Sequence, residues 1–270
     1  MANFEKALSI DPKLVDVFTN VILVYGVQKE YLQALKRCDR QLKQYAGFPA
    51  LSAVVYNLKG GLYLARGEKA AAIKSFQTAI GENPDFLRPY YALAGIYLEE
   101  SQEKKAIDQY KDLLEVNPNQ AQPHMLLGII YDTQKRYDKS EAHYRAALEV
   151  RPEFAAAANN LAFILADQDK DIDEALRLAC MAKEKLPDSP YVMDTLGWVY
   201  YKKGLYSSAI GEFSDCLAKI PENQAATYHL GMTYYKNGDA QKARVELEKA
   251  LVLDENFNGA EEARQVLAGL

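Results

Sequence analysis

Cysteine is scarce in this 270-residue chain, and the motifs of common catalytic and nucleotide-binding sites are missing. The three cysteines, Cys38, Cys180 and Cys216, include no CxxC pair, so neither a zinc ribbon nor a thioredoxin-like motif is indicated. We expect all three to be small apolar groups buried at packing positions of helices. No GxGxxG, P-loop or GxSxG segment occurs, and the sequence predicts no catalytic constellation.

Side chains in metal-binding arrangements are also few. No HExxH or other paired spacing occurs among the three histidines, which are His124, His143 and His229, and structural or surface roles are expected for them. Alternating aspartates from Asp167 to Asp173 resemble the start of a calcium loop. Ile172 stands where that loop needs glycine, and Leu178 where it needs a bidentate glutamate. We therefore predict a solvated loop, with no metal and no cofactor.

Long apolar runs and clusters of basic residues are absent too. No apolar run approaches the roughly 18 residues that span a bilayer, so no transmembrane segment is predicted. The net charge is −5 and no basic stripe is present, so nucleic acid is not an expected partner. No signal peptide is visible at residue 1. Localisation, cytoplasmic or periplasmic, stays open because upstream sequence is expected to be missing.

A period of about 34 residues organises what is present. Small residues return at this spacing, at Gly60, Ala94, Gly128, Ala162, Gly197 and Gly231. A tyrosine follows three positions after five of these six residues. A proline closes successive units, at Pro84, Pro118, Pro152, Pro187 and Pro221. A fixed period of this length indicates a stack of repeats.

Each unit has the pattern of two helices joined by a short turn. Apolar residues recur at helical spacing in both halves of a unit. Glycine in turns such as "KKGLY" and "KNGDA" can end a helix in a left-handed conformation. Proline separates one unit from the next because it does not fit inside a helix. The Asp or Asn residues in "NPDF", "LPDSP" and "NPNQ" are expected to cap the helix that follows.

This pattern resembles the tetratricopeptide repeat (TPR), a helix-turn-helix unit. The segment "TLGWVYYKKGLYSSAIGEFSDCLAKIPEN" carries that family's spacing at Leu196, Gly197, Tyr200, Gly204, Tyr206, Ala209, Phe213 and Pro221. The resemblance implies an all-α fold, an α-solenoid. About sixteen helices would form antiparallel pairs, stacked as a right-handed superhelix without β-sheet. The last repeats also resemble the C-terminal part of long bacterial TPR proteins.

The register divides the chain into seven repeats between two shorter ends. The repeats are 15–52, 53–86, 87–120, 121–154, 155–189, 190–223 and 224–257. Residues 1–14 match only the second helix of a truncated repeat, which predicts a fragment of a longer protein. Residues 258–270 are predicted to form a capping helix that covers Tyr234, Leu247 and Leu251.

In the resembled family, a groove lined by the first helices of the repeats binds partners. The corresponding positions predict a partner-binding groove formed by Arg88, Tyr91, Met125, Asn159, Phe163, Tyr191, Asp194, Trp198, Tyr201, Lys202, Tyr228, Met232, Tyr235 and Lys236. Trp198 is the only tryptophan, and Tyr and Trp are enriched where surfaces bind partners. The alternative role for these aromatic residues is packing between neighbouring first helices.

Together these patterns predict a non-catalytic scaffold that binds a peptide or partner protein in its concave groove. One alternative is an assembly module that self-associates through the truncated N-terminal end. Another is the regulatory arm of an enzyme whose catalytic domain lies outside this chain. Two specific TPR activities are disfavoured. The residue set that grips the C-terminal carboxylate of chaperones is absent, and only Asn20 and Asn160 match the asparagine ladder of the sugar-transferring relatives.

Overall fold

The computed structural model of the chain describes residues 2–270, without the side chain of residue 2. Sixteen α-helices and no strand occur in this range, as the sequence predicts. The helices are α1 Ala2–Ile10, α2 Val15–Val27, α3 Tyr31–Gln44, α4 Pro49–Ala65, α5 Lys69–Glu82, α6 Arg88–Glu99, α7 Glu103–Val116, α8 Ala121–Thr133, α9 Tyr137–Val150, α10 Ala155–Asp167, α11 Ile172–Lys185, α12 Pro190–Lys202, α13 Tyr206–Lys219, α14 Gln224–Lys236, α15 Ala240–Leu253 and α16 Ala260–Gly269.

The chain forms two compact units. The first ends at Pro123, and the second runs from His124 to Leu270. In the first unit α2 packs on α3, α4 on α5 and α6 on α7. In the second unit α10 packs on α11, α12 on α13 and α14 on α15, and α16 packs on α14 and α15. Within each unit, neighbouring hairpins touch through the second helix of one and the first helix of the next. Each unit is therefore an all-α solenoid segment of stacked helical repeats.

Within a hairpin, the two helices approach closely because the first carries a small residue at the crossing. A Cβ atom built on Gly60 would lie 2.4 Å from the Phe76 ring, and one built on Gly128 would lie 2.4 Å from the Tyr144 ring. Buried alanines occupy the equivalent positions of α6 and α10, at Ala94 and Ala162. The small residues therefore recur every 34 residues because each hairpin repeats the same packing contact between its two helices.

The turn inside each hairpin repeats one backbone conformation. Gly204 and Gly238 have φ values of 77° and 86°, which confirms the left-handed helix ends predicted from the glycines. The equivalent turn positions with positive φ are Lys29, Gly67, Ser101, Lys135 and Asp169. Four of these five carry a side chain, and a left-handed conformation costs such a residue about 1–2 kcal/mol.

Proline ends the units as predicted, but the predicted helix caps are not all found. Pro84 follows the last residue of α5 by two positions, and the other four closing prolines follow α7, α9, α11 and α13 in the same way. The cap prediction is wrong for α6 and α12, whose N-cap residues Leu87 and Ser189 make no side-chain cap bond. In "NPDF", Asn83 Oδ1 instead accepts the N–H of Asp85 at 3.2 Å, because this side chain lies inside the turn.

Candidate functional site

The first helices place the predicted groove residues at very different depths. The exposed residues are Arg88, Tyr191, Tyr235 and Lys236. The half-buried residues are Tyr91, Met125, Asn159, Phe163, Asp194, Tyr201 and Lys202. The buried residues are Trp198, Tyr228 and Met232. The groove residues therefore do not form one uniformly accessible stripe.

Five of these residues line a single pocket in the second unit. They are Phe163, Trp198, Tyr201, Lys202 and Tyr228, and the pocket volume is about 270 Å³. The rest of the wall consists of Asp167, His229, Asn258, Gly259 and Glu262. Helices α10, α12 and α14 thus supply the aromatic side of the pocket, and the segment that opens α16 supplies the other side.

Trp198 is the centre of the aromatic side. Its ring stacks on Tyr201, with centroids 4.9 Å apart, and on His229, with centroids 4.4 Å apart. The side chain is only 8% exposed, and its Nε1 has no hydrogen-bond partner among the described residues. This burial agrees with the packing alternative for Trp198, and a direct role in partner binding stays a prediction.

Two polar pairs fix the helices that carry the pocket. His229 Nδ1 lies 2.8 Å from Asp194 Oδ1, which joins α14 to α12. Lys202 Nζ donates to Asp169 Oδ1 at 2.7 Å, which joins the end of α12 to the turn after α10. The same Lys202 ammonium lies 5.3 Å from the centroid of the Trp198 ring, within the range of a cation–π interaction.

The last helix closes the pocket through contacts with Tyr228. The Tyr228 hydroxyl donates to Glu262 Oε2 at 2.8 Å, and the Tyr228 ring lies 5.0 Å from that of Phe257. Gly259 has φ 112°, and a Cβ there would lie 2.7 Å from Tyr228 Cζ. Burial, the Glu262 hydrogen bond and the Glu262 charge all raise the pKa of the Tyr228 phenol.

Sequence reasoning missed the residues that α16 contributes to this pocket. The sequence predicts Asn258, Gly259 and Glu262 only as parts of a capping helix. A usable signal was present, because Glu262 follows Tyr228 by 34 positions. Extending the repeat register by one more first helix would have placed Glu262 at a groove position.

The remaining predicted residues lie away from the pocket. Arg88 and Tyr91 belong to the first unit, where the Tyr91 ring lies 6.1 Å from that of Tyr110. In the second unit, Asn159 donates to Asn160 Oδ1 at 3.3 Å. Tyr191 is 68% exposed and Tyr235 is 40% exposed. These two tyrosines are the aromatic members of the predicted set that a partner reaches most freely.

The first unit contains a separate and more apolar cavity of about 460 Å³, between α2 and α4. Its lining includes Leu23, Gly26, Val27, Leu58 and Gly61. Leu23 is 55% exposed and Val27 is 85% exposed. Leu23, Gly26 and Gly61 occupy first-helix positions equivalent to those of the predicted groove.

The cysteines follow the sequence prediction in two cases out of three. Cys38 and Cys216 are buried, and burial raises the pKa of each thiol to about 12. Cys180 is exposed, so its predicted burial is wrong. The outward face of α11 carries Cys180, while Ala175, Ala179 and Ala182 fill the packed face.

The histidines and the aspartate loop show pairings that spacing did not reveal. Nδ1 of His124 lies 3.1 Å from Nδ1 of His143, joining α8 to α9. In the aspartate loop, Asp171 caps α11 by accepting the N–H of Glu174 at 2.9 Å, and Asp173 pairs with Lys203. Across residues 2–270, no group of three or more His, Cys, Asp or Glu side chains is arranged to hold a metal ion.

Stacked helical hairpins define the class of this molecule as an α-solenoid repeat protein. Models of the tetratricopeptide repeat family match residues 63–130, 125–190 and 195–261, which together are more than half of the chain. The chain belongs to the tetratricopeptide repeat family. Repeats of this family form protein–protein interaction scaffolds and are typically non-catalytic. None of the helices in the described part of the chain is long and apolar enough to cross a membrane.

Known proteins similar to this chain share its repeats. A TPR repeat-containing protein of Pseudomonas aeruginosa is 34% identical over 77 residues, which are 28% of this chain and 13% of that protein. The solved structure of YrrB, described as a TPR protein with an unusual peptide-binding site, is 22% identical. It covers 72% of this chain and 99% of its own, with a TM-score of 0.57.

Two further solved structures show the same fold. P. aeruginosa pilF is 19% identical, covers 79% of this chain and 96% of its own, and has a TM-score of 0.62. A TPR protein from Parabacteroides merdae is 16% identical, covers 94% of this chain and 97% of its own, and has a TM-score of 0.57. At these identities the likeness is evidence of fold alone.

Proposed function

We propose that this protein is a non-catalytic scaffold that binds an extended segment of a partner protein on the first-helix face of its second unit. The observation that carries the proposal is the convergence of five predicted groove residues on one pocket. That pocket combines aromatic faces with charged groups at its edge. Binding sites typically combine such apolar walls with a few placed polar groups.

The size of the pocket favours a side chain over a whole ligand molecule. Its volume of about 270 Å³ lies below the roughly 300–1,000 Å³ of sites that enclose a small molecule. A pocket of this size suits one anchoring side chain of a longer segment, the rest of which would lie along the helix face. Tyr191 and Tyr235 are exposed on this face and are the proposed outer contacts.

The buried aromatic residues contribute to such binding mainly by holding the pocket in shape. Replacing Trp198 by alanine would remove a ring that stacks on Tyr201 and His229, and loss of a core aromatic residue costs about 3–5 kcal/mol. A binding defect in that variant would therefore not separate recognition from folding. The exposed tyrosines are better probes, because surface substitutions usually change stability by less than about 0.5 kcal/mol.

The proposal is tested with peptides from an unbiased display library, selected on the intact chain and then titrated by Trp198 fluorescence. Trp198 is the sole tryptophan, so its emission reports on the pocket directly. The double variant Tyr191→Ala/Tyr235→Ala should weaken the selected peptides at least tenfold, which is about 1.4 kcal/mol. The matched control, Val245→Ala/Val252→Ala, removes exposed apolar side chains from α15 and should not. If no peptide is selected, or both variants bind like the parent, the first-helix face is not the binding surface.

Self-association through the first unit is a second candidate function, favoured by the apolar cavity between α2 and α4. Exposed apolar patches on soluble proteins mark interaction sites, and Leu23 and Val27 are prominent at this one. A dimer that buries this patch should be lost in the variant Leu23→Glu/Val27→Glu. Sedimentation velocity of the parent and the variant over a concentration series measures it. A parent chain that stays monomeric at high concentration would reject this candidate.

A further inference from the structure

The pocket around Trp198 carries more negative than positive charge. Asp167 and Glu262 line it, and Lys202 is its only lysine or arginine. Lys202 is already paired with Asp169 at 2.7 Å. Neither Asp167 nor Glu262 has a Lys, Arg or His ion-pair partner within residues 2–270. Two carboxylates thus face the pocket without a compensating cation.

Burial and the nearby carboxylates both raise the pKa of the phenols in the pocket. The pKa of Tyr201 is raised to about 12, first by burial and then by the charge of Glu262. Asp167 adds to the burial and the Glu262 contact that raise the pKa of Tyr228. Burial by itself opposes charge of either sign, so only the contributions of Glu262 and Asp167 point to a ligand of positive charge.

The walls of the pocket also suit a cation. The rings of Trp198, Tyr201, Tyr228 and Phe163 border the space, and aromatic faces attract ammonium and guanidinium groups. Lys202 shows this attraction inside the protein, because its Nζ lies 5.3 Å from the Trp198 centroid. In addition, Nε1 of Trp198 is a buried donor with no partner among the described residues. The residue that carries this unsatisfied donor lines the pocket.

Ligands of other chemistry fit less well. An acidic side chain would meet Asp167 and Glu262 at close range, with only the already paired Lys202 to balance it. A wholly apolar side chain would desolvate the two carboxylates without giving them a partner, which is costly. A long basic side chain can place its stem against the rings and its charge beside the carboxylates.

We propose that this pocket receives a lysine or arginine side chain of the bound segment, and that Asp167 and Glu262 select it. This inference rests on the proposed peptide-binding function, for which it names the chemistry of the anchoring residue. Glu262 lies on α16 and is held by the Tyr228 hydroxyl. The last helix is therefore part of the recognition site as well as of the fold.

A direct test needs no natural partner. The single indole N–H of Trp198 gives one resolved cross-peak in a ¹⁵N spectrum of the intact chain. We expect it to shift during titration with N-acetyl-lysine methylamide or the arginine analogue at millimolar concentration. The norleucine and glutamate analogues are the controls and should leave it in place. Equal shifts with norleucine, or no shift with either basic probe, would overturn the inference.

Charge-removing variants provide the second arm of the test. Glu262→Gln keeps an oxygen that can accept the Tyr228 hydrogen bond, and Asp167→Asn is likewise isosteric. Each should weaken the basic probes, and any library peptide with a basic residue, about tenfold. Glu261→Gln removes the same charge from the neighbouring position of α16, which is exposed like Glu262 but does not line the pocket, and it should have no effect. Thermal unfolding of each variant confirms that it is folded.

The outcomes separate the two proposals. If library peptides bind through Tyr191 and Tyr235 but tolerate replacement of every basic residue, the scaffold function stands and the basic-residue pocket is rejected. If no peptide binds while the lysine probe shifts the Trp198 indole peak and Glu262→Gln abolishes that shift, the pocket stands and the peptide-binding face is rejected.

Discussion

Gly197 on α12 lies against the ring of Phe213 on α13, so closely that a Cβ on Gly197 would be 2.6 Å from Phe213 Cε1. The distance is below any normal carbon–carbon contact, and the ring is fully buried. The two helices of this hairpin can reach their observed separation only because residue 197 has no side chain. The same relationship joins Gly231 to Leu247 in the next hairpin, where the distance is 2.8 Å.

Replacement of Gly197 by alanine should therefore destabilise the second unit by about 1–3 kcal/mol, the usual cost of overpacking a core. The matched control is Gly211→Ala on α13, where an added Cβ meets nothing within 4 Å. That substitution should stabilise by about 0.5–1 kcal/mol, because alanine restricts the unfolded chain and favours helix. Urea unfolding followed by circular dichroism measures both. Equal midpoints for the two variants would contradict this account of the crossing.

Deletion of residues 258–270 should loosen the last hairpin while leaving earlier hairpins protected. Ala263, Val266 and Leu267 of α16 belong to one apolar cluster with Leu247 and Leu251 of α15. Each large side chain that loses its burial costs about 1.5–3 kcal/mol. Amide hydrogen exchange should become faster in 224–257 and stay unchanged in α10 and α11. Unaltered protection in 224–257 would show that α16 does not act as a cap.

The cluster under α16 differs in one member from the set predicted from sequence. Leu247 and Leu251 belong to it, together with Tyr228 and Met232. The Tyr234 ring lies instead 5.3 Å from Lys242 Nζ, because this tyrosine follows Gly231 on the side facing the second helix.

Acidification should weaken the fold through His124. Burial lowers the pKa of this imidazole below its ordinary value of 6.5, although the charge of Glu149 acts in the opposite direction. The unfolded state then binds the proton more readily than the folded state. Stability is full above pH 6.5 and is lost as the pH falls through that value toward the lowered pKa.

The measurement is the urea midpoint of the parent and of His124→Gln at several pH values between 5 and 8. The parent should lose more stability below pH 6.5 than the variant. His143, whose Nδ1 is 3.1 Å from that of His124, is retained in both proteins. Parallel pH profiles for the two proteins would exclude His124 as the source of the effect.

Thiol reactivity should separate Cys180 from the other two cysteines. Cys180 is exposed, although partial burial also raises the pKa of its thiol. Cys38 and Cys216 are buried, with pKa values raised to about 12. Only the thiolate attacks a disulfide reagent. In the folded protein, DTNB at pH 8 should therefore modify one thiol quickly and two only on unfolding. The variant Cys180→Ser should lose the fast phase, and a fast phase that survives there would mean that another thiol is accessible.

The local features of this protein are determined by the sequence. Three signals act over only a few residues: the helical spacing of apolar residues, the glycines in "KKGLY" and "KNGDA", and the proline after each second helix. The helices and their turns can therefore be predicted from these signals alone. The period of about 34 residues also predicts the contact between the two helices of a hairpin. It places a small residue such as Gly197 on the first helix and a large residue such as Phe213 on the second. The division into seven repeats and the role of residues 258–270 as a cap remain predictions.

The accessibility of the first-helix side chains depends on how the helices pack against one another. One face of α10, α12 and α14 both packs on neighbouring helices and borders the pocket. Tyr191 and Trp198 are seven residues apart and share that face of α12, but Tyr191 lies in the first turn of the helix and is exposed, whereas Tyr201 and His229 cover Trp198. Sequence spacing does not specify which part of that face a neighbouring helix covers. The contacts of His124 with His143, and of Tyr228 with Glu262, depend on how separate helices dock. The pocket and its two unpaired carboxylates therefore exist only after α16 has packed onto α14.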